Sequence, residues 1–177
     1  MNAVIIYYSM SENTAYVAEK IREGMLDQLR KDVRKAGTGT EPVVDVIRIA
    51  PVKAYPDSGS GKFLWGGKSA VMKEKPALQP YQFDADKYDR IIIGTPVWAW
   101  TMSPPIRSFI EENRDQLKDK QIGVFVCSGG GGVKAIGKIR EFLPVDKLRD
   151  ALDLIEPRNN QTEANDQAIA RFVYNMC

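Results

Sequence analysis

The chain contains no histidine, only two cysteines, and no apolar run approaching the roughly 20 residues that cross a bilayer. Without histidine the commonest general base, the commonest transition-metal ligand and the base of any Ser-His or Cys-His pair are all missing. No catalytic side chain is therefore assigned, and chemistry must be brought by something bound. Cys127 and Cys177 are too few for a disulfide framework or a cysteine-built metal site, so no metal is expected. An excess of one charge is missing too: 25 basic and 23 acidic residues leave a dispersed net charge of +2, which speaks against a nucleic-acid partner. The N-terminus lacks a basic region followed by an apolar stretch and a small-residue cleavage site. A soluble, cytoplasmic protein without a membrane partner is expected. With 44% hydrophobic residues over 177 positions, one domain spanning 1–177 has enough material for a full core, and a monomer is expected.

What the chain does have is an apolar run, Val4 to Tyr8, that enters Ser9, Met10, Ser11, Glu12, Asn13 and Thr14 and then an amphipathic helix. Ala18, Ile21, Met25 and Leu29 recur at three- and four-residue steps, the stripe of a helix packed on a sheet. A helix entered this way presents unpaired N–H groups and the positive end of its dipole to whatever sits in the turn. Ser9, Ser11, Asn13 and Thr14 add hydroxyl and amide donors. No Lys or Arg lies in the turn, so an anion would be held by neutral donors alone. Ser9-Met10-Ser11-Glu12 also fits a capping box, with Ser capping and Glu reaching back. The turn by itself leaves both open.

Four more strands are expected, at 43–49, 90–94, 121–126 and 151–155, with helical stripes between them. These stripes are Ile106, Phe109 and Ile110; Ile136, Ile139 and Leu143; and Ala168, Ile169, Phe172, Val173 and Met176. Alternating strands and helices predict an α/β fold with a parallel sheet covered on both faces. The runs Ile91-Ile92-Ile93 and Val124-Phe125-Val126 are uninterrupted, like the first strand, and read as central. The second and fifth strands carry charges within them and read as edges. Segment 50–87, rich in Pro, Gly, Ser and Lys, is expected to hold one short helix near 67–75 and otherwise irregular chain, with Trp65 pinning the loop or covering a ligand. Ser58-Gly59-Ser60-Gly61-Lys62 lacks both the leading glycine and the trailing hydroxyl of a nucleotide P-loop.

Two further loops lie at the carboxyl edge of the expected sheet. Thr95, Pro96, Val97, Trp98, Ala99 and Trp100 precede Ser103, a helix cap followed by two prolines. One tryptophan is expected in the core and the other on a flat heteroaromatic ring, with Trp98 favoured for the ring. Ser128, Gly129, Gly130 and Gly131 follow the fourth strand and offer N–H donors without side-chain interference, and no aromatic stands among them. Cys127 has no basic neighbour in sequence and reads as a small buried apolar residue.

Ser-x-Ser-x-Asn-Thr after a first strand resembles the phosphate-binding loop of the flavodoxins, usually Thr/Ser-x-Thr-x-Gly/Asn-x-Thr. The chain departs from it where Thr14 directly follows Asn13 and where Ala15 stands in place of a frequent threonine. The resemblance extends over nearly the whole chain. It implies a flavodoxin-like doubly wound sheet of five parallel strands in the order 2-1-3-4-5, helices on both faces, of the short-chain type with an unbroken fifth strand. It implies FMN as cofactor, its phosphate held by residues 9–14, one face of its ring by 95–100 and its pyrimidine end by 128–131; FAD should bind poorly. It also implies an electron carrier whose partners are redox proteins of the flavodoxin- or ferredoxin-reductase type. No Lys or Arg stands in the two ring loops, which should lower the potential of an anionic reduced flavin, and Ala99 replaces the usual glycine at the peptide that turns towards the flavin. Typical electron-carrying flavodoxins are strongly acidic, and this chain is not. An FMN-dependent NAD(P)H:quinone-type oxidoreductase of the same fold and a cofactor-free scaffold stay open as alternatives. A phosphoacceptor receiver domain does not, because Tyr8-Ser9 and Thr95-Pro96 stand where it needs acidic residues.

Overall fold

A computed structural model describes residues 1–37, 41–56 and 74–177. Five strands form one parallel sheet: β1 (Asn2–Tyr7), β2 (Val43–Arg48), β3 (Arg90–Trp98), β5 (Ile122–Ser128) and β6 (Asp150–Ile155), ordered β2-β1-β3-β5-β6. Counting parallel strands only, this is the expected 2-1-3-4-5. The sequence reading missed β4 (Thr101–Met102), which turns back antiparallel on the end of β3 with Val97 opposite Met102 and Trp98 opposite Thr101. Two residues are too short a run to show any periodicity.

The residues that place β1, β3 and β5 in the middle are the ones that cannot face water. Val4, Ile5, Ile6, Ile91, Ile92, Ile93, Val124, Phe125 and Val126 are all fully buried. Successive side chains alternate between the faces. Ile5, Ile92 and Phe125 join α1 (Asn13–Ala36) and α5 (Glu163–Met176) through Ile21, Met25, Phe172 and Val173. Ile6, Ile91, Ile93, Val124 and Val126 join α2 (Pro104–Glu112) and α4 (Val133–Phe142) through Ile106, Phe109 and Ile139. Emptying such a site to alanine costs about 2–5 kcal/mol. A one-turn α3 (Arg114–Leu117) links α2 to β5. The outer strands are half exposed, as their charges foretold.

Gly94 is a packing requirement. A Cβ there would stand 2.1 Å from the Phe125 ring, which fills the space across from β3. α1 runs to Gly37, whose φ of 65° ends it in the left-handed conformation that glycine adopts without strain. The expected helix near 67–75, the Trp65 loop and the rejected P-loop-like run lie outside the described residues, save for Glu74 and Lys75, which are not helical. Near the sheet edge, Pro51 bridges to Leu78, and the Ser108 hydroxyl donates to the Pro76 carbonyl.

Candidate functional site

Parallel strands direct every following loop to one edge of the sheet, and the switch in strand order lies between β1 and β3. The turn after β1 takes neither half of a capping box. Glu12 is the N-cap residue, at φ 60° and ψ 1°, and its own side chain caps no N–H. Ser9, buried, accepts the N–H of Ala15 at 3.3 Å. Among the described residues no acceptor takes the N–H groups of Met10, Ser11, Glu12, Asn13 or Thr14. The turn is thus a concavity of unpaired donors at the positive end of a 24-residue helix.

Its side chains divide. The Ser11 hydroxyl is exposed and accepts from the Asn13 amide at 3.3 Å, and Asn13 Oδ1 accepts the N–H of Arg158 at 3.0 Å, tying the loop after β6 to the turn. Thr14 is 1% exposed and lies against Cys127, so its side chain lies beneath the turn. The turn itself carries no Lys or Arg, but an arginine approaches it from the neighbouring strand. Arg48, the last residue of β2, reaches the turn and donates to the Ser9 carbonyl at 3.2 Å and to Glu12 Oε1 at 2.6 Å. A register partner of Tyr7 on the neighbouring strand is invisible to local spacing. The hydrogen bond to Glu12 raises the guanidinium pKa above its already high value.

The loop after β3 is a two-residue hairpin. Ala99 and Trp100 both have positive φ, 48° and 58°, as the two central residues of a type I′ turn must, yet neither is glycine or asparagine. Such a conformation costs of order 1–3 kcal/mol per residue and concentrates at functional sites. It lifts Trp100 to 65% exposure. Trp98 is half buried, its ring held edge-on by Tyr8 at 5.7 Å and by Tyr55 at 5.1 Å. Burial in that cluster pushes the Tyr8 hydroxyl up to about 12. Thr95, fully buried, works beneath the loop: its Oγ1 accepts the Ser103 N–H at 3.0 Å and pairs with the Ser103 hydroxyl. Ser103 is the helix N-cap as expected, with its hydroxyl spent on Thr95. Pro96 and Val97 carry the half-buried strand into the hairpin.

The four glycines after β5 are not equivalent. Gly130 and Gly131 face open space, and Gly131 needs its freedom because its φ is 102°. Gly132 is clamped: a Cβ would meet Val126 at 2.4 Å and Asp153 at 2.7 Å. Its N–H donates to Asp153 Oδ2 at 2.7 Å, and the Gly131 N–H donates to the Ser128 hydroxyl at 2.8 Å. Asp153, a charge inside the β6 edge strand, is thus a fastening for this loop that the sequence reading did not single out. Cys127 lies directly before the loop, and burial pushes its thiol up to about 12, so it is neither a nucleophile nor a ligand at neutral pH.

The arrangement is that of an open doubly wound sheet with an anion-type turn, an aromatic hairpin and a glycine loop at one edge. A family profile for the flavodoxin domain matches residues 68–165, more than half of the chain. The chain belongs to the flavodoxin family. Its fold is similar to that of a flavoprotein in complex with FMN from Lactobacillus acidophilus, at 17% identity, TM-score 0.63, and coverage of 90% of this chain and 96% of that one. It is also similar to a candidate flavoprotein from Bacteroides eggerthii, at 20% identity, TM-score 0.67, covering 99% and 97%. A flavodoxin from the domain Archaea shows 19% identity, TM-score 0.55, and coverage of 99% and 96%. No curated protein sequence matches the chain. Among the described residues no helix is long and apolar enough to cross a membrane.

Proposed function

We propose that this chain binds FMN and carries electrons between partner redox proteins. The observation that supports it most is the row of unpaired N–H groups from Met10 to Thr14 beside a strained hairpin that presents Trp100. A phosphate ester satisfies the first, a flat ring the second, and the open space beside Gly130 and Gly131 leaves room for the ring's polar end. Bound flavin supplies reversible one- and two-electron chemistry, and the protein binds, orients and tunes it.

Each residue then has a task. The turn and the Ser11 hydroxyl hold the phosphate. Trp98, favoured for the ring from sequence, is fixed among Tyr8 and Tyr55, so the ring contact passes to Trp100, which covers it from the solvent side. Thr95 and Asp153 hold the two ring loops in place. The partners fitting this function are proteins of the flavodoxin- or ferredoxin-reductase type.

The test is reconstitution with excess FMN followed by desalting. Flavin absorbance at one equivalent is expected, with riboflavin bound far more weakly, and a colourless protein would refute the proposal. NADPH alone should reduce the flavin slowly and a reductase quickly. Rapid bleaching by NADPH without a partner would instead make the protein an oxidoreductase.

A further inference from the structure

The turn that has the donors for a phosphate also carries a carboxylate. Glu12 occupies the N-cap of α1 in the left-handed region, where a residue with a Cβ is strained, and its own N–H is one of the row without an acceptor among the described residues. A phosphate ester is mostly dianionic at neutral pH, since its second pKa is about 6. Placed in this turn it meets a like charge. Arg48 answers that charge: it contacts Glu12 with both terminal nitrogens, at 2.6 and 3.3 Å, pins the Ser9 carbonyl at 3.2 Å, and lies over the Tyr7 ring at 5.9 Å. Both side chains are about half exposed, so this exchange of charge is open to solvent and to an arriving ligand.

We propose that Arg48 and Glu12 form the charge-setting pair of the phosphate site, with Arg48 admitting the phosphate dianion by neutralising Glu12. This rests on the phosphate role assigned to the turn. Arg48 is a specificity residue on a neighbouring strand, and Glu12 is the penalty it removes. In the wild type the pair contributes no net charge to the turn. Replacing Glu12 leaves +1, replacing Arg48 leaves −1, and replacing both restores zero. Arg158, from the loop after β6, is unaltered in all four proteins and cancels from the comparison.

Four variants test it, with FMN, riboflavin and inorganic phosphate as ligands. Glu12→Gln should tighten FMN and Arg48→Gln should weaken it, each by about five- to tenfold, as expected for one unit charge beside a dianion in water. The double variant and Arg48→Lys should stay within about threefold of wild type. The spread should shrink between low and high salt, because exposed charges are screened. Riboflavin affinity should not move. If Arg48→Gln weakens riboflavin as much as FMN, or if the double variant binds FMN no better than Arg48→Gln, the pair is structural and the proposal falls. Stabilisation of each protein by inorganic phosphate in a thermal melt gives the same ranking without flavin. Should the wild type reject FMN while phosphate still ranks the variants, the FMN assignment fails and the charge pair stands. Should FMN bind while neither ligand ranks them, the reverse holds.

Discussion

Two of the helices that begin at the carboxyl edge of the sheet, α1 after β1 and α4 after β5, are entered by turns that treat their N–H groups in opposite ways. At α4 the protein supplies its own acceptors: Ser128 takes the N–H of Gly131, and the Asp153 carboxylate takes that of Gly132. At α1 the available carboxylate, Glu12, is drawn away by Arg48, and the donors from Met10 to Thr14 are left without acceptors among the described residues. A helix start after a central parallel strand is an anion site by geometry. Whether it binds an external anion depends on whether a neighbouring strand has already filled it.

Closing the difference from the sealed side should give the largest effect. Gly132→Ala sets a Cβ against Val126 and Asp153, and overpacking of this kind costs about 1–3 kcal/mol. For a chain of this size each kcal/mol lowers the melting temperature by about 2–4 °C. Gly130→Ala, with nothing within 4 Å, should leave the melt unchanged. Equal shifts would mean that the loop is not fastened at Gly132.

On the open side, Ser11→Ala should weaken FMN by about ten- to hundredfold, since a hydrogen bond to a charged group contributes about 1.5–3 kcal/mol. The apo-protein melt should not change, because that hydroxyl is exposed. Thr14→Ala should lower both, because Thr14 is buried under the turn against Cys127. A Ser11 variant that melts earlier yet binds FMN normally would return the turn to a purely structural role.

The smallest effect at ordinary pH is alkaline. Burial holds Cys127 protonated to about 12, against 9.0 for a free thiol, and Tyr8 to about 12 against 10.0. Between those values the unfolded chain has released protons that the folded one keeps, so stability is full below pH 9 and falls as pH rises towards 12. At pH 10 the Cys127 share is no more than about 1.4 kcal/mol. Urea midpoints at pH 8 and pH 10 measure it, and Cys127→Ala should flatten the earlier part of the decline.

The sheet was legible because burial writes itself along a strand: uninterrupted runs at Ile91–Ile93 and Val124–Val126 can only be central, and Asp45, Arg48 and Asp153 can only sit near an edge. The candidate site was legible loop by loop for the same reason, since each loop begins where an apolar run stops. What escaped were contacts between loops. Arg48 and Asp153 read as ordinary edge-strand charges, yet each serves a turn that belongs to a different strand. The capping box failed because α1 starts later than the box requires, which puts Glu12 at the N-cap instead of the third helical position. β4 escaped because its turn uses Ala99 and Trp100 where a hairpin signal requires Asn or Gly.

The central place of β1 has a consequence during synthesis. Asn2 to Tyr7 leaves the ribosome well before its inner neighbour, which begins only at Arg90. At about 5–20 residues per second, roughly 5–20 s pass before β3 emerges to pair with it. Over that interval β1 can pair only with β2. The Arg158 link to Asn13 closes later still, when most of the chain has been made. The turn after β1 is therefore closed only by chain translated 145 residues after Asn13.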